Sequence, residues 1–189
     1  MSEGNGRDQE QRHKRCCVIG AGPSGLATMK ELLAEGHEVV CYEAAEEIGG
    51  VFAGKGETSE GKCSRAYDKM LLTISNYYMA FSDFPPAEDD ALRYWTGEEY
   101  SRYLRRYASR FDLLRHVVCG ARVVAVRAVS EGQWRIECTG GEGGLFDAVA
   151  VCTGANQTLS TLHRQHPSLA SFQGTVIHSA QFTSCMFHR

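Results

Sequence analysis

Six residues constrain this chain more than any others: Gly20-Ala21-Gly22-Pro23-Ser24-Gly25, a GxGxxG turn. Alone it is a weak signal, since glycine-rich turns occur in many folds, and its surroundings give it meaning. The apolar run from Arg15 to Ile19 precedes it and reads as a buried strand. Pro23 lies just inside the next element, where a missing N–H costs nothing. Leu26, Met29 and Leu33 then recur at helical spacing, and Gly36 closes the helix. Glu38 to Glu43 (EVVCYE) is a second strand. Strand, helix and strand within about 30 residues imply a right-handed crossover and a parallel sheet.

In such a unit Gly20 permits the tight turn, Gly22 lets a pyrophosphate approach the backbone, and Gly25 allows close packing of helix on strand. The N–H groups of the first helical turn then face the phosphates. Glu43 stands 18 positions after Gly25, at the end of the second strand. A carboxylate there accepts hydrogen bonds from both ribose hydroxyls and repels a 2′-phosphate, so FAD or NAD is expected rather than NADP. The bland alternative is a chance glycine turn in an unrelated α/β domain.

Beyond this unit, residues 44–95 read as irregular, with aromatics among turn residues. Thr96 to Glu99 is a capping-box pattern. Behind it Tyr100, Tyr103, Leu104, Tyr107 and Phe111 share one apolar helical face. Three strand-like runs follow, at 122–129, 134–138 and 147–152. Ser130 to Gln133 suits a hairpin turn, and Thr139 to Gly144 (TGGEGG) reads as a hairpin tip rather than a phosphate loop.

A net charge of −3 implies no general attraction to nucleic acid or an anionic membrane. No run approaches the ~18 apolar residues of a membrane-spanning helix. The polar stretch from Met1 to about His13 lacks the apolar core of a secretory signal and reads as a disordered lead-in. Five of the eight cysteines (Cys16, Cys17, Cys41, Cys138 and Cys152) sit in apolar runs as small hydrophobes, and none forms a CxxC pair. Reduced thiols and a cytoplasmic setting are expected. His163/His166 and Cys185/His188 lack partner ligands for a closed metal site. Asn156 to Thr158 is a glycosylation sequon that a cytosolic protein would not use.

Taken with further segments, the chain resembles the flavin-containing monooxygenases from about Cys16 to Phe182. Glu47 to Phe52 (EIGGVF) is similar to the family's second glycine motif, with Phe52 where the family usually has Trp. Phe81 to Pro85 matches its FSDFP segment, Gly97 to Tyr100 with Tyr103 and Leu104 its following helix, and Val151 to Gly154 its returning strand end. Phe172, Gly174, His178 and Phe182 fit the identifying pattern FxGxxxHxxx(Y/F). Phe182, where Baeyer–Villiger enzymes carry Trp, favours the amine- and sulfide-oxidising branch.

The resemblance implies an α/β, Rossmann-like FAD-binding domain: a βαβ parallel sheet plus a small antiparallel β meander, incomplete in this chain. It implies FAD as cofactor, with Gly20, Gly22, Pro23, Ser24 and Gly25 on the pyrophosphate and Glu43 on the ribose. Gly50 and Phe52 would lie along the flavin side, Val123 would meet adenine through its backbone, and Thr153 and Gly154 would close over the cofactor. The family's flavin-side Asn falls on Thr73. Asn76, three positions on, either replaces it after a register change or is an ordinary turn-capping residue. His178 is either a packed residue linking two domains or, less in keeping with its apolar neighbours, catalytic.

The implied reaction is oxygenation of soft nitrogen or sulfur nucleophiles, amines or thioethers, by an oxidoreductase that uses NADPH and O₂. In the family NADPH occupies a second βαβ unit with its own GxGxxG, and this sequence has no second fingerprint. The expected organisation is a lead-in over 1–13, the N-terminal portion of the FAD-binding domain over 14–158, and a linker toward an NADPH-binding domain over 159–189. Two other readings stay open: a truncated, catalytically idle FAD-binding module, and a Baeyer–Villiger or N-hydroxylating monooxygenase.

Overall fold

The parallel sheet grows from the alternation of the apolar runs. The structure, a computed structural model, describes residues 13–53, 66–67, 69–129, 132–154, 168 and 171–174. Strand β1 (Arg15–Ile19), helix α1 (Pro23–Ala34) and strand β2 (Glu38–Tyr42) make the expected βαβ unit. In β1, Cys16 and Val18 point to one side, and Cys17 and Ile19 to the other. A strand apolar on both faces suits only a sheet covered on both sides, and here both sides are covered. The first face packs on α1 and on the aromatic face of a later helix. The second packs on an antiparallel meander.

Within the sequence, β3 (Leu71–Ser75), α2 (Asn76–Met79), β4 (Tyr94–Thr96), α3 (Gly97–Arg110) and β5 (Val117–Val118) come next. The meander is β6 (Val123–Ala128), β7 (Trp134–Cys138) and β8 (Gly141–Phe146), and β9 (Ala148–Val151) returns to the parallel sheet. That sheet has the order β5-β2-β1-β9, all neighbours parallel. The α/β class, parallel sheet and antiparallel meander are as expected. The capping box is also present: Thr96 Oγ1 accepts from the Glu99 N–H at 3.2 Å, and the Thr96 N–H donates to the Glu99 carboxylate at 2.8 Å.

Three expectations are corrected. Residues 44–95 are not wholly irregular: they hold a 3-10 turn at Gly50–Phe52, helix α2 and the antiparallel pair β3–β4. The turn expected over 139–144 is confined to Thr139 and Gly140, and Gly141 onward is β8. The run expected over 147–152 is a strand only from Ala148 to Val151. Within β8, Gly143 serves close approach rather than a turn. A Cβ on Gly143 would lie 3.1 Å from both the Cys138 sulfur and an Ile136 methyl, and the Tyr42 hydroxyl donates to the Gly143 carbonyl. The lead-in over 1–12, most of the expected linker, Cys63, Cys185 and the sequon at Asn156 lie outside the described residues.

Candidate dinucleotide site

The cradle forms where β1, β2 and β9 end. Strand order reverses there, β2 lying on one side of β1 and β9 on the other, which is where open α/β sheets take their ligands. The three motif glycines differ in what they would meet. Gly20 has φ +99° and a Cβ there would lie 2.6 Å from the Cys152 carbonyl oxygen. A Cβ on Gly25 would lie 1.8 Å from the Gly20 carbonyl oxygen. Gly22 has an ordinary φ of −76° and its nearest neighbour, Gly50 Cα, would be 3.5 Å away. The protein itself therefore requires glycine at 20 and 25. At 22, which is buried, a Cβ would make only an ordinary contact with Gly50, so the protein itself does not demand glycine there.

Gly22 is also the N-cap of α1, with no side-chain cap and no acidic residue in the first turn. Pro23 brings no N–H, and Ser24 is exposed beside it. The Ser24 and Gly25 N–H groups precede the first helical bond, Leu26 N–H to the Gly22 carbonyl at 3.0 Å, and suit an anion. Glu43 is buried at 8% exposure, one carboxylate oxygen accepting from the Ala21 N–H at 2.7 Å and the other from the Ala45 N–H at 2.8 Å. Each carboxylate oxygen has capacity for a further donor, so a ribose diol fits. Ala21 works at both ends: its carbonyl accepts from the Gly49 N–H at 2.9 Å. This seats the second glycine motif on the first, and a Cβ on Gly50 would come within 3.1 Å of Gly22 Cα. Phe52 ends that 3-10 turn with its ring edge-on to Tyr100, centroids 4.8 Å apart.

Thr153 and Gly154 are exposed directly after β9, with Thr153 Cα 3.4 Å from the position of a Cβ on Gly20. Val123 opens β6 opposite Cys138 and packs into the meander core. Thr73 lies exposed on β3, away from the phosphate turn in sequence. Asn76 is fully buried and its amide is engaged within its own lobe: Nδ2 donates to the Ala91 carbonyl at 3.1 Å and Oδ1 accepts from the Arg93 N–H at 3.2 Å. Phe172 is exposed, and its ring lies 2.5 Å from where Gly174 would carry a Cβ. His178, Phe182, His163, His166 and His188 lie outside the described residues.

Burial pushes the Cys17 thiol up to about 12 and that of Cys41 up as well, so both stay protonated and act as packing groups. Among the described residues no group of three His, Cys, Asp or Glu could hold a metal ion, and no helix is long and apolar enough to cross a membrane. Sequence reasoning missed Ala21, whose contribution is wholly backbone and leaves no side-chain signal. It also missed the partners of the FSDFP segment, which come from distant helices.

A family model described as flavin-binding monooxygenase-like matches residues 13–188. A 4-hydroxybenzoate brominase (decarboxylating) of Marinomonas mediterranea is 41% identical over 177 residues, covering 92% of this chain and 32% of the relative. Flavin-containing monooxygenase 5 of Oryctolagus cuniculus is 35% identical over 176 residues, covering 89% and 33%. Among solved structures, S-allyl-L-cysteine S-oxygenase of Allium sativum superimposes with a TM-score of 0.76 at 26% identity, covering 91% of this chain and 43% of the other. The chain thus spans about a third of the length of the curated relatives it matches.

Proposed function

The chain belongs to the flavin-binding monooxygenase-like family, and from that premise we propose that its described residues hold FAD for an NADPH-dependent enzyme that oxygenates soft nitrogen or sulfur nucleophiles. One observation carries the FAD site: the uncapped start of α1 at Gly22, where the protein itself does not demand glycine, with buried Glu43 just past the end of β2. Gly20, Gly22, Pro23, Ser24 and Gly25 form the pyrophosphate turn, and Glu43 takes the ribose. Gly50 and Phe52 flank the flavin half, Val123 the adenine, and Thr153 and Gly154 the outer side of the phosphate turn. When bound, FAD would take reducing equivalents from NADPH and pass them to O₂. The chain's own part is to orient that cofactor and keep its surroundings dry, with Phe52 and the aromatic face of α3 as the apolar wall on one side. The Glu43 carboxylate disfavours a 2′-phosphate here, so NADPH is assigned to a second site. Thr73 and Asn76 are proposed to border the flavin side through the β3–α2 segment, and Phe172, Gly174, His178 and Phe182 to mark the passage toward the NADPH site.

The test is a fluorescence titration with FAD, followed by NADPH oxidation on amine, thioether and ketone panels. FAD binding with amine or thioether oxygenation is expected. Ketone insertion would favour the Baeyer–Villiger reading. FAD binding without any NADPH oxidation would leave a binding module. Failure to bind FAD would overturn the site itself.

A second reading has one observation in its favour: the brominase relative, at 41% identity, is nearer than the rabbit monooxygenase at 35%. In that reading the oxidised species is halide and the acceptor an electron-rich hydroxybenzoate. Brominated phenol from bromide, NADPH, O₂ and 4-hydroxybenzoate, with silent amine and thioether panels, would establish it.

A further inference from the structure

The FSDFP turn is tied to the dinucleotide cradle by two groups the proposed function does not use, the Tyr103 hydroxyl and the Lys30 ammonium. Tyr103, 4% exposed on α3, accepts from the Phe81 N–H at 2.7 Å and donates to the Phe84 carbonyl at 2.8 Å. One hydroxyl therefore satisfies both open backbone groups of the 81–84 turn, which also closes on itself through Phe84 N–H to the Phe81 carbonyl at 3.0 Å. Burial pushes the phenol up to about 12, which keeps it a donor.

The Tyr103 ring is part of a continuous wall. It stacks on Tyr100 at 5.7 Å and 9°, and lies 5.0 Å from Trp95 and 5.5 Å from Phe84. Tyr100 in turn receives the edge of Phe52, and Phe52 ends the 3-10 turn whose Gly50 abuts Gly22. A second tie runs through Lys30 of α1, whose Nζ lies 2.7 Å from the Asp83 carboxylate. The helix that opens on the phosphates and the wall that seats Phe52 thus both grip the same turn. Strand β3 and helix α2 lead directly into that turn, so Thr73 and Asn76 ride on it.

We propose that Tyr103 is a positioning residue of the FAD site: its hydroxyl fixes the 81–84 turn, and the β3–α2 segment before it, on the same aromatic wall that seats Phe52. This rests on the reading that FAD occupies the cradle. Tyr103 acts through the turn its hydroxyl holds, while its ring continues the wall through Tyr100 to Phe52.

Tyr103→Phe keeps the ring and its packing but leaves the Phe81 N–H and Phe84 carbonyl without their partner. In the FAD-free protein, amide exchange at Phe81 should rise about tenfold, the scale of one lost hydrogen bond. Amides of the parallel sheet, such as Val18 and Cys41, should stay unchanged. With FAD, affinity should stay within about twofold, because the phosphate and ribose contacts are untouched, while the visible circular dichroism of the bound flavin changes. Asp83→Asn removes the Lys30 tie without touching the aromatic packing and should give the same signature, more weakly; it carries the test should Tyr103→Phe not fold. Unchanged exchange at Phe81, an equal rise at Val18 and Cys41, or an unaltered flavin spectrum would each overturn the proposal. A wild-type protein that takes up no FAD sinks the FAD reading instead, and shows it before any variant is compared.

Discussion

Gly20, Gly22 and Gly25 are the same residue type within six positions, yet they answer to different neighbours. Gly20 and Gly25 are demanded by the protein, one by a left-handed backbone and both by carbonyl oxygens where a Cβ would sit. Gly22 has room for a methyl group as far as the protein is concerned. Alanine at 20 or 25 should therefore lower the melting temperature sharply or prevent folding, whereas Gly22→Ala should melt near the wild type. On the proposed FAD reading the same methyl group would occupy the space of the pyrophosphate, so FAD affinity should fall at least about tenfold, or 1.4 kcal/mol. Thermal melts paired with FAD titration check both halves; a Gly22→Ala protein with wild-type affinity would remove the cradle from the phosphates. The glycines and Glu43 were legible in the sequence because their spacing reports a local turn and a strand end. Ala21 was not. Any residue but proline supplies the N–H that reaches Glu43 and the carbonyl that receives Gly49.

At the scale of elements, α3 announced itself because everything that starts it is local. Thr96 and Glu99 are three positions apart and satisfy each other's backbone N–H groups. The pair β3–β4 did not, since its register joins Leu71 to Thr96 and Ser75 to Tyr94 across an intervening helix and loop. The buried Asn76 closes that loop, its side-chain amide bonded to Ala91 and Arg93 and its backbone N–H to the Arg93 carbonyl at 2.8 Å. The same corner is expected to be acid-sensitive. The Thr96 N–H, then Arg93, holds the Glu99 carboxyl below the usual carboxylate range, and the Arg93 guanidinium, before any other partner, does so for Asp90. Both folded values lie below the unfolded ones of about 4.3 and 3.9. Their stabilisation is therefore complete above those unfolded values and is lost as pH falls through the folded ones. The melting temperature should decline on acidification from pH ~5 toward pH ~3, and the decline should be shallower in Glu99→Gln. Parallel pH curves for the two proteins would rule this corner out as a source of acid sensitivity.

Across the whole molecule the parallel sheet is sandwiched between two apolar clusters, and Phe146 anchors the smaller one. It is 1% exposed, packs with Cys17, Ile19 and Ile136, meets Tyr42 edge-on at 6.3 Å and lies under the Arg15 guanidinium at 4.7 Å. Phe146→Ala should cost about 3–5 kcal/mol in urea unfolding, a large share of the ~5–15 kcal/mol that holds a domain together. A loss below about 1 kcal/mol would show that the meander does not depend on this contact. The chain's own order of residues determined the βαβ unit, the start of α3 and the acid at the end of β2, because each is set by periodicity or by groups a few residues apart. Only the tertiary structure decided that β9 pairs with β1, that the glycine-rich run 141–146 is a strand beneath Tyr42, and that Tyr103 closes the FSDFP turn. These join segments some 20 to 130 residues apart, and their geometry comes from which surfaces fit once the sheet exists, a property no local pattern carries.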